Sequence, residues 1–233
     1  SDSRFLALSL GFSGGVMIYI SLVELLAEAR IELIKLYGHQ RGALYAIAAF
    51  FCGMLIAMLI DKLVPDYENP HEVRKLEEME HPVHLDKLMR SGVLFALAIA
   101  IHNFPEGMAV FMSSLTNPAT GISIAVAIAF HNIPEGITVS VPLYHATGSK
   151  KKAFIWSMLS GLAEPLGAVV CWLILAPFLS TVLRMFTFAA VAGIMVFISF
   201  DELLPLAEEY GEHHLVIYGL ISGMILMALT LAM

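Results

Sequence analysis

Residues 96–107 read ALAIAIHNFPEG and residues 125–136 read AVAIAFHNIPEG, two copies that agree at 9 of 12 positions with an offset of 29. In each, an apolar approach runs into His-Asn-x-Pro-Glu-Gly. On a helix His102 and Glu106 stand one turn apart on one face with Asn103 beside them, and His131, Asn132 and Glu135 repeat the arrangement. A third polar group, GLAEPLG at 161–167, supplies Glu164. Each group contains a proline, Pro105, Pro134 or Pro165, which removes a helical hydrogen bond and releases the carbonyl four residues back, that of Ile101, Phe130 or Gly161.

Around these groups the chain is apolar. Of 233 residues 58% are hydrophobic and 14% charged, against about half and about a quarter in soluble domains, which excludes an ordinary soluble globular protein. Uninterrupted apolar runs predict seven spans, at 5–27, 42–60, 92–113, 119–144, 153–176, 185–205 and 215–233. All should be helices, since a bilayer satisfies no open backbone group. The expected fold is all-α, a polytopic membrane helix bundle forming a single transmembrane domain over 1–233. The polar stretch 61–91, charged and carrying three prolines, reads as a loop within it.

Cys52 and Cys171 both sit in apolar runs, so neither a disulfide framework nor a cysteine zinc module is available. A net charge of -7 excludes nucleic acid as a partner and leaves room for cations. The opening Ser1-Asp2-Ser3-Arg4 has no initiator Met and no basic n-region, so no signal peptide is expected. Nine Lys and Arg fall on the side holding Arg4, the 61–91 loop and Lys150 to Lys152, and four (Arg30, Lys35, Arg41, Arg184) on the other. The positive-inside rule then places the long loop in the cytosol and the C-terminus outside.

The twelve-residue copies lie in consecutive spans and so cross in opposite directions. A second pair, GVMIYISLVELLAEA at 15–29 and GIMVFISFDELLPLA at 193–207, agrees at 8 of 15 positions and lies in the first and sixth spans. An odd number of crossings separates these two as well. Nested inverted repeats are a common architecture of secondary transporters, which place the substrate site near the midplane where the repeats meet.

A carboxylate at a helix centre costs very roughly 2.5 to 3.5 kcal/mol on insertion scales. Three together approach the whole net stability of a typical protein. No Lys or Arg lies within any of the seven spans, so the countercharge is expected from metal ions or protons. Imidazole with carboxylate suits Zn²⁺, Fe²⁺ and Mn²⁺, whereas oxygen-only sites for Ca²⁺ or Mg²⁺ have little use for two histidines.

HNFPEG, HNIPEG, the SGLAEPLG helix at 160–167 and VFISFDELLP at 196–205 resemble the ZIP (zinc- and iron-transporting) family, and residues 131–167 in particular its bacterial ZupT-type branch. The resemblance runs over essentially the whole chain. It implies eight helices arranged three, two and three. The seven spans here then begin at the family's second helix, with the first absent. It also implies a binuclear metal site: His102, Glu106, His131 and Glu135 at one position, and Asn103, Asn132 and Glu164 at the other, bridged by Glu106 and Glu135. The implied activity is alternating-access, elevator-like transport of Zn²⁺, Fe²⁺ and related ions (Mn²⁺, Co²⁺, Cd²⁺) into the cytosol. The metals are cargo, no resident cofactor is called for, and the setting is the inner or cytoplasmic cell membrane, spanned many times. A homodimer is one assembly open to it.

Glu24 and Glu202, equivalent under the larger repeat, are candidate pathway ligands at opposite faces, with Asp201 beside Glu202; ordinary interfacial carboxylates are the plain alternative. His71, His81 and His84 in the loop are weaker candidates for capturing or sensing cytosolic metal, with a merely solvated charged loop as the alternative, and His213 and His214, with Glu208, Glu209 and Glu212, are similar. Two other classes compete with a transporter. An intramembrane metal-dependent hydrolase would use the same ligands to activate water, but the pattern is HxxxE twice, never HExxH, with no separate general base. A metal-sensing receptor would bind without flux.

Overall fold

The computed structural model describes residues 3–63, 103–115, 117–175 and 180–232, with single positions at 96, 100 and 178. Among them there is no strand, as expected of an all-α chain. Helix α1 (Ser3–Tyr19), a π-helical segment (Ile20–Leu25) and α2 (Leu26–Tyr37) follow without a break, then α3 (His39–Leu63). After α4 (103–115) come α5 (Pro118–Thr147), α6 (Lys150–Gly161), α7 (Ala163–Val170) and a second π-helical segment, Cys171–Leu175. Helix α8 (Thr181–Ile198) passes through a third, Ser199–Leu203, into α9 (Leu204–Tyr210), and α10 (His213–Ala232) closes the chain.

Local chemistry sets the boundaries. Gly38, at φ 81°, makes the one-residue reversal between α2 and α3, a conformation a Cβ would strain. Asn117 caps α5 through its side-chain oxygen, which accepts from the Ala119 amide, with Pro118 in the first turn. Gly148, at φ 62°, ends the same helix. Ser149 and Ser180 cap α6 and α8 in the same way.

Five helices among the described residues are long and apolar enough to cross a membrane: Ala7–Tyr37, His39–Lys62, Lys150–Ile174, Thr181–Glu209 and His213–Ala232. They contain or closely match the expected spans at 5–27, 42–60, 153–176, 185–205 and 215–233. The expected span 119–144 lies inside α5. That at 92–113 is described only at 96, 100 and from 103 on, and the expected loop lies outside the described residues beyond 63. Two bounds need correction, since the first helix runs on to Tyr37 and the sixth to Glu209. Their carboxylates lie along half-buried sides of helices that continue past them, so charge does not end the element there.

Packing is closest where glycines face each other. A Cβ on Gly11 or Gly15 of α1 would lie 2.4 or 2.0 Å from the carbonyl oxygens of Val216 and Leu220 on α10. Reciprocally, one on Gly219 or Gly223 would lie 2.2 or 2.1 Å from those of Leu8 and Phe12. Small residues spaced by four on both helices permit this approach. Helices α3 and α8 meet in the same way, at Gly53 and Gly193. Helix α8 forms the middle of the core through Met185, Phe188, Ala192 and Met195. The outer face of α3 leaves Leu44, Ile47, Phe51, Leu55 and Leu59 exposed, an apolar surface suited to lipid.

Candidate metal centre

Helix α4 carries Asn103, Pro105, Glu106 and Gly107 near its start, and α5 passes unbroken through Asn132, Pro134, Glu135 and Gly136. The α6–α7 rod breaks at Leu162, where Pro165 cannot donate and its ring crowds the carbonyl of Gly161. The break makes Glu164 a first-turn residue of α7, where a helix N-terminus favours negative charge.

Backbone contact then brings α7 to α4. A Cβ on Gly107 would lie 1.8 Å from the carbonyl oxygen of Glu164, and one on Gly167 would lie 2.1 Å from that of Phe104. No residue other than glycine fits either place without moving a helix. Asn132 Nδ2 donates to Glu164 Oε2 at 2.5 Å, which ties α5 to α7. Asn103 Nδ2 donates to the carbonyl of Ser160 at 3.2 Å, which ties α4 to α6. The Ser157 hydroxyl donates to the carbonyl of Gly136 at 3.0 Å, beside Glu135.

Asn103, Glu106 and Glu135 are buried. Each asparagine has its amide nitrogen engaged, while Asn103 Oδ1 and Asn132 Oδ1 accept no hydrogen bond among the described residues. A buried acceptor left this way costs roughly 1–3 kcal/mol, and a cation is one group that removes the cost. No three His, Cys, Asp or Glu side chains among the described residues stand within reach of one ion. Of the expected ligands, His102 lies outside the described residues. His131 is on α5, but its side chain is outside the described part.

Glu24 falls in the π-helical segment Ile20–Leu25, and Asp201 and Glu202 in Ser199–Leu203. With the repeat offset of 178, five of the six residues in the first segment align with the whole of the second. The two copies therefore share a helix distortion as well as a sequence. Arg184 of α8 lies within electrostatic reach of Glu28 on α2; the two stand just outside the expected spans 185–205 and 5–27. His213 Nδ1 pairs with Glu208 Oε1 at 2.7 Å on an exposed surface; His71, His81 and His84 lie outside the described residues. Sequence reading missed two contributors, Ser13, which donates to Glu135 at 3.1 Å, and the carbonyl of Ser160. Serines within otherwise apolar helix stretches are the signal that could have found them.

A model of the ZIP zinc transporter family matches residues 62–231. The chain belongs to the ZIP family. It is 55% identical over 231 residues to the zinc transporter ZupT of Streptococcus mutans, covering 99% of this chain and 87% of that protein. With ZupT of Akkermansia muciniphila the identity is 56% over 235 residues, with the same shares. With that of Clostridium perfringens it is 51% over 245 residues, covering 99% and 86%. ZIP membership makes this a multi-pass membrane metal transporter rather than an enzyme, and the hydrolase alternative falls away. The ZIP match takes in both His-Asn-x-Pro-Glu-Gly copies, Glu164 and the 201–202 pair.

Proposed function

We propose that this ZIP-family chain carries Zn²⁺, and with it Fe²⁺, Mn²⁺, Co²⁺ and Cd²⁺, across the cell membrane into the cytosol through a binuclear midplane site. The ligands are His102, Asn103, Glu106, His131, Asn132, Glu135 and Glu164. One observation carries the reading: both motif asparagines have their NH₂ groups engaged by α6 and α7, while their carbonyl oxygens, shut off from solvent, accept no hydrogen bond among the described residues. A hydrogen-bonding role alone would use both ends of the amide. A dication supplies the missing positive charge and takes up the oxygens at once.

In this reading the metal reaches the site by exchanging water for protein oxygen and nitrogen. Neutral histidines supply the harder-to-replace nitrogen bonds. Alternating access follows if the motif-bearing helices α4 to α7 move against the rest, and the shared π-helical positions in the larger repeat favour the inverted architecture on which such motion depends. Glu24, with Asp201 and Glu202, then serves the two mouths of the pathway. The test is uptake by purified protein in proteoliposomes. Saturable Zn²⁺ accumulation, reduced by competing Fe²⁺ or Mn²⁺, is expected. Binding of Zn²⁺ with no accumulation would replace this reading with that of a sensor.

A further inference from the structure

The α6–α7 rod, Lys150–Ile174, opens on a run of three cations. Ser149 caps it, its side-chain oxygen accepting from the Lys152 amide, which fixes Lys150, Lys151 and Lys152 in the first turn. All three are exposed. No Asp or Glu occurs between Glu135 and Glu164, and none of the three lysines makes an ion pair among the described residues. From the lysines an apolar ridge runs along the rod. Phe154, Met158, Leu162, Leu166 and Val169 are exposed, at the spacing of three or four that keeps side chains on one side of a helix. Trp172 is exposed at the far end, where an aromatic suits a membrane interface. Unpaired positive charge above a strip of apolar surface is the complement of a lipid with a negative headgroup.

We propose that Lys150, Lys151 and Lys152, with the ridge that starts at Phe154, form a docking surface for an anionic phospholipid of the cytosolic leaflet: the lysines meet its headgroup and the ridge its acyl chains. The leaflet follows from the Lys and Arg asymmetry, which puts 150–152 on the cytosolic side, where the surface potential is negative. Each lysine near such a surface is worth about fivefold in affinity, whereas a zwitterionic headgroup carries no net charge for it to answer. The same rod bears Glu164 and the Ser160 carbonyl that accepts from Asn103. The lipid therefore seats on an element that contributes to the candidate metal centre.

The chain supplies its own reporter, because its two tryptophans, Trp156 and Trp172, both lie on this rod, and Trp156 is one turn from Lys152. In a Trp172→Phe background, Trp156 fluorescence is measured in vesicles of equal parts phosphatidylcholine and phosphatidylglycerol, with bromine on the chains of one lipid or the other. Brominated phosphatidylglycerol should quench with an apparent affinity at least about fivefold above that of brominated phosphatidylcholine, the worth of one lysine. Lys150→Gln, Lys151→Gln and Lys152→Gln together should bring the two lipids within about twofold. Arginine at the same three positions should keep the preference, and Arg41→Gln, which removes an exposed cation of α3, should leave it unmoved. Sodium chloride at about 1 M, where screening acts within about 3 Å, should erase the preference without any change at the lysines. Equal quenching by the two lipids reduces the ridge to ordinary bilayer contact, and quenching by neither means that a second copy or another segment covers the rod. Either result overturns the proposal. So does a preference that survives the glutamine variant or high salt, or one that Arg41→Gln removes. Each of these leaves the transport reading untouched.

Discussion

A primary amide carries a donor end and an acceptor end, and burial makes each end answerable. At Asn103 and Asn132 the donor ends are taken by a carbonyl and a carboxylate, which leaves two buried acceptors without a hydrogen bond among the described residues, in the same motifs as the carboxylates of Glu106 and Glu135. If those carboxylates hold metal, Glu106→Ala or Glu135→Ala should lower zinc uptake at least about a hundredfold while the protein stays folded, since each removes a buried charge whose desolvation opposes folding. Uptake assays beside thermal unfolding in detergent check both halves of this expectation; normal uptake by either variant would defeat the binuclear site. Asn132→Ala should act differently. It removes one hydrogen-bond donor to Glu164, so uptake and melting temperature should fall together, with a stability loss of about 1–3 kcal/mol.

Between elements, glycine decides which helices share a backbone contact. Gly107→Ala would set a methyl 1.8 Å from the Glu164 carbonyl, and relief requires α4 and α7 to part at a cost of about 1–3 kcal/mol. Gly161→Ala, where a Cβ meets nothing within 4 Å, should be neutral or stabilise by up to about 1 kcal/mol. Denaturation of the two variants side by side tests the contrast; equal melting temperatures would deny the α4–α7 contact. The motif residues were legible in the sequence because a polar group inside an apolar run is costly and therefore conspicuous. Ser13 and Ser160 were not, because their roles depend on partners 122 and 57 residues away. Helix ends were misread for a related reason. An apolar count stops at residue 27, just before Glu28, or at residue 205, short of Glu208, whereas the helix needs only a side on which such carboxylates can lie. The π-helical segments left no trace in composition, since they are a change of hydrogen-bond register within residues that suit an α-helix equally well.

At the scale of the whole molecule the exposed apolar face of α3 belongs in lipid, and the Lys and Arg asymmetry gives the bundle a direction. Glu24 should then face outside and Glu202 the cytosol. With Cys52 and Cys171 replaced, a Glu24→Cys variant should react with impermeant thiol reagent added outside, a Glu202→Cys variant only with reagent inside, and bound metal should protect both. Labelling of both from one side would overturn the inverted topology. Protection at neither would reduce the pair to interfacial carboxylates. The glycine-lined crossing of α1 and α10 bears on any attempt to watch such a protein work. Two helices whose backbones already touch at four glycines have no gap to close and no long side chains to lean on, so their separation has little freedom to change. Spin labels on the outer surfaces of α1 and α10 should therefore report one narrow distance with or without zinc, an internal ruler against which a displaced α5 is read.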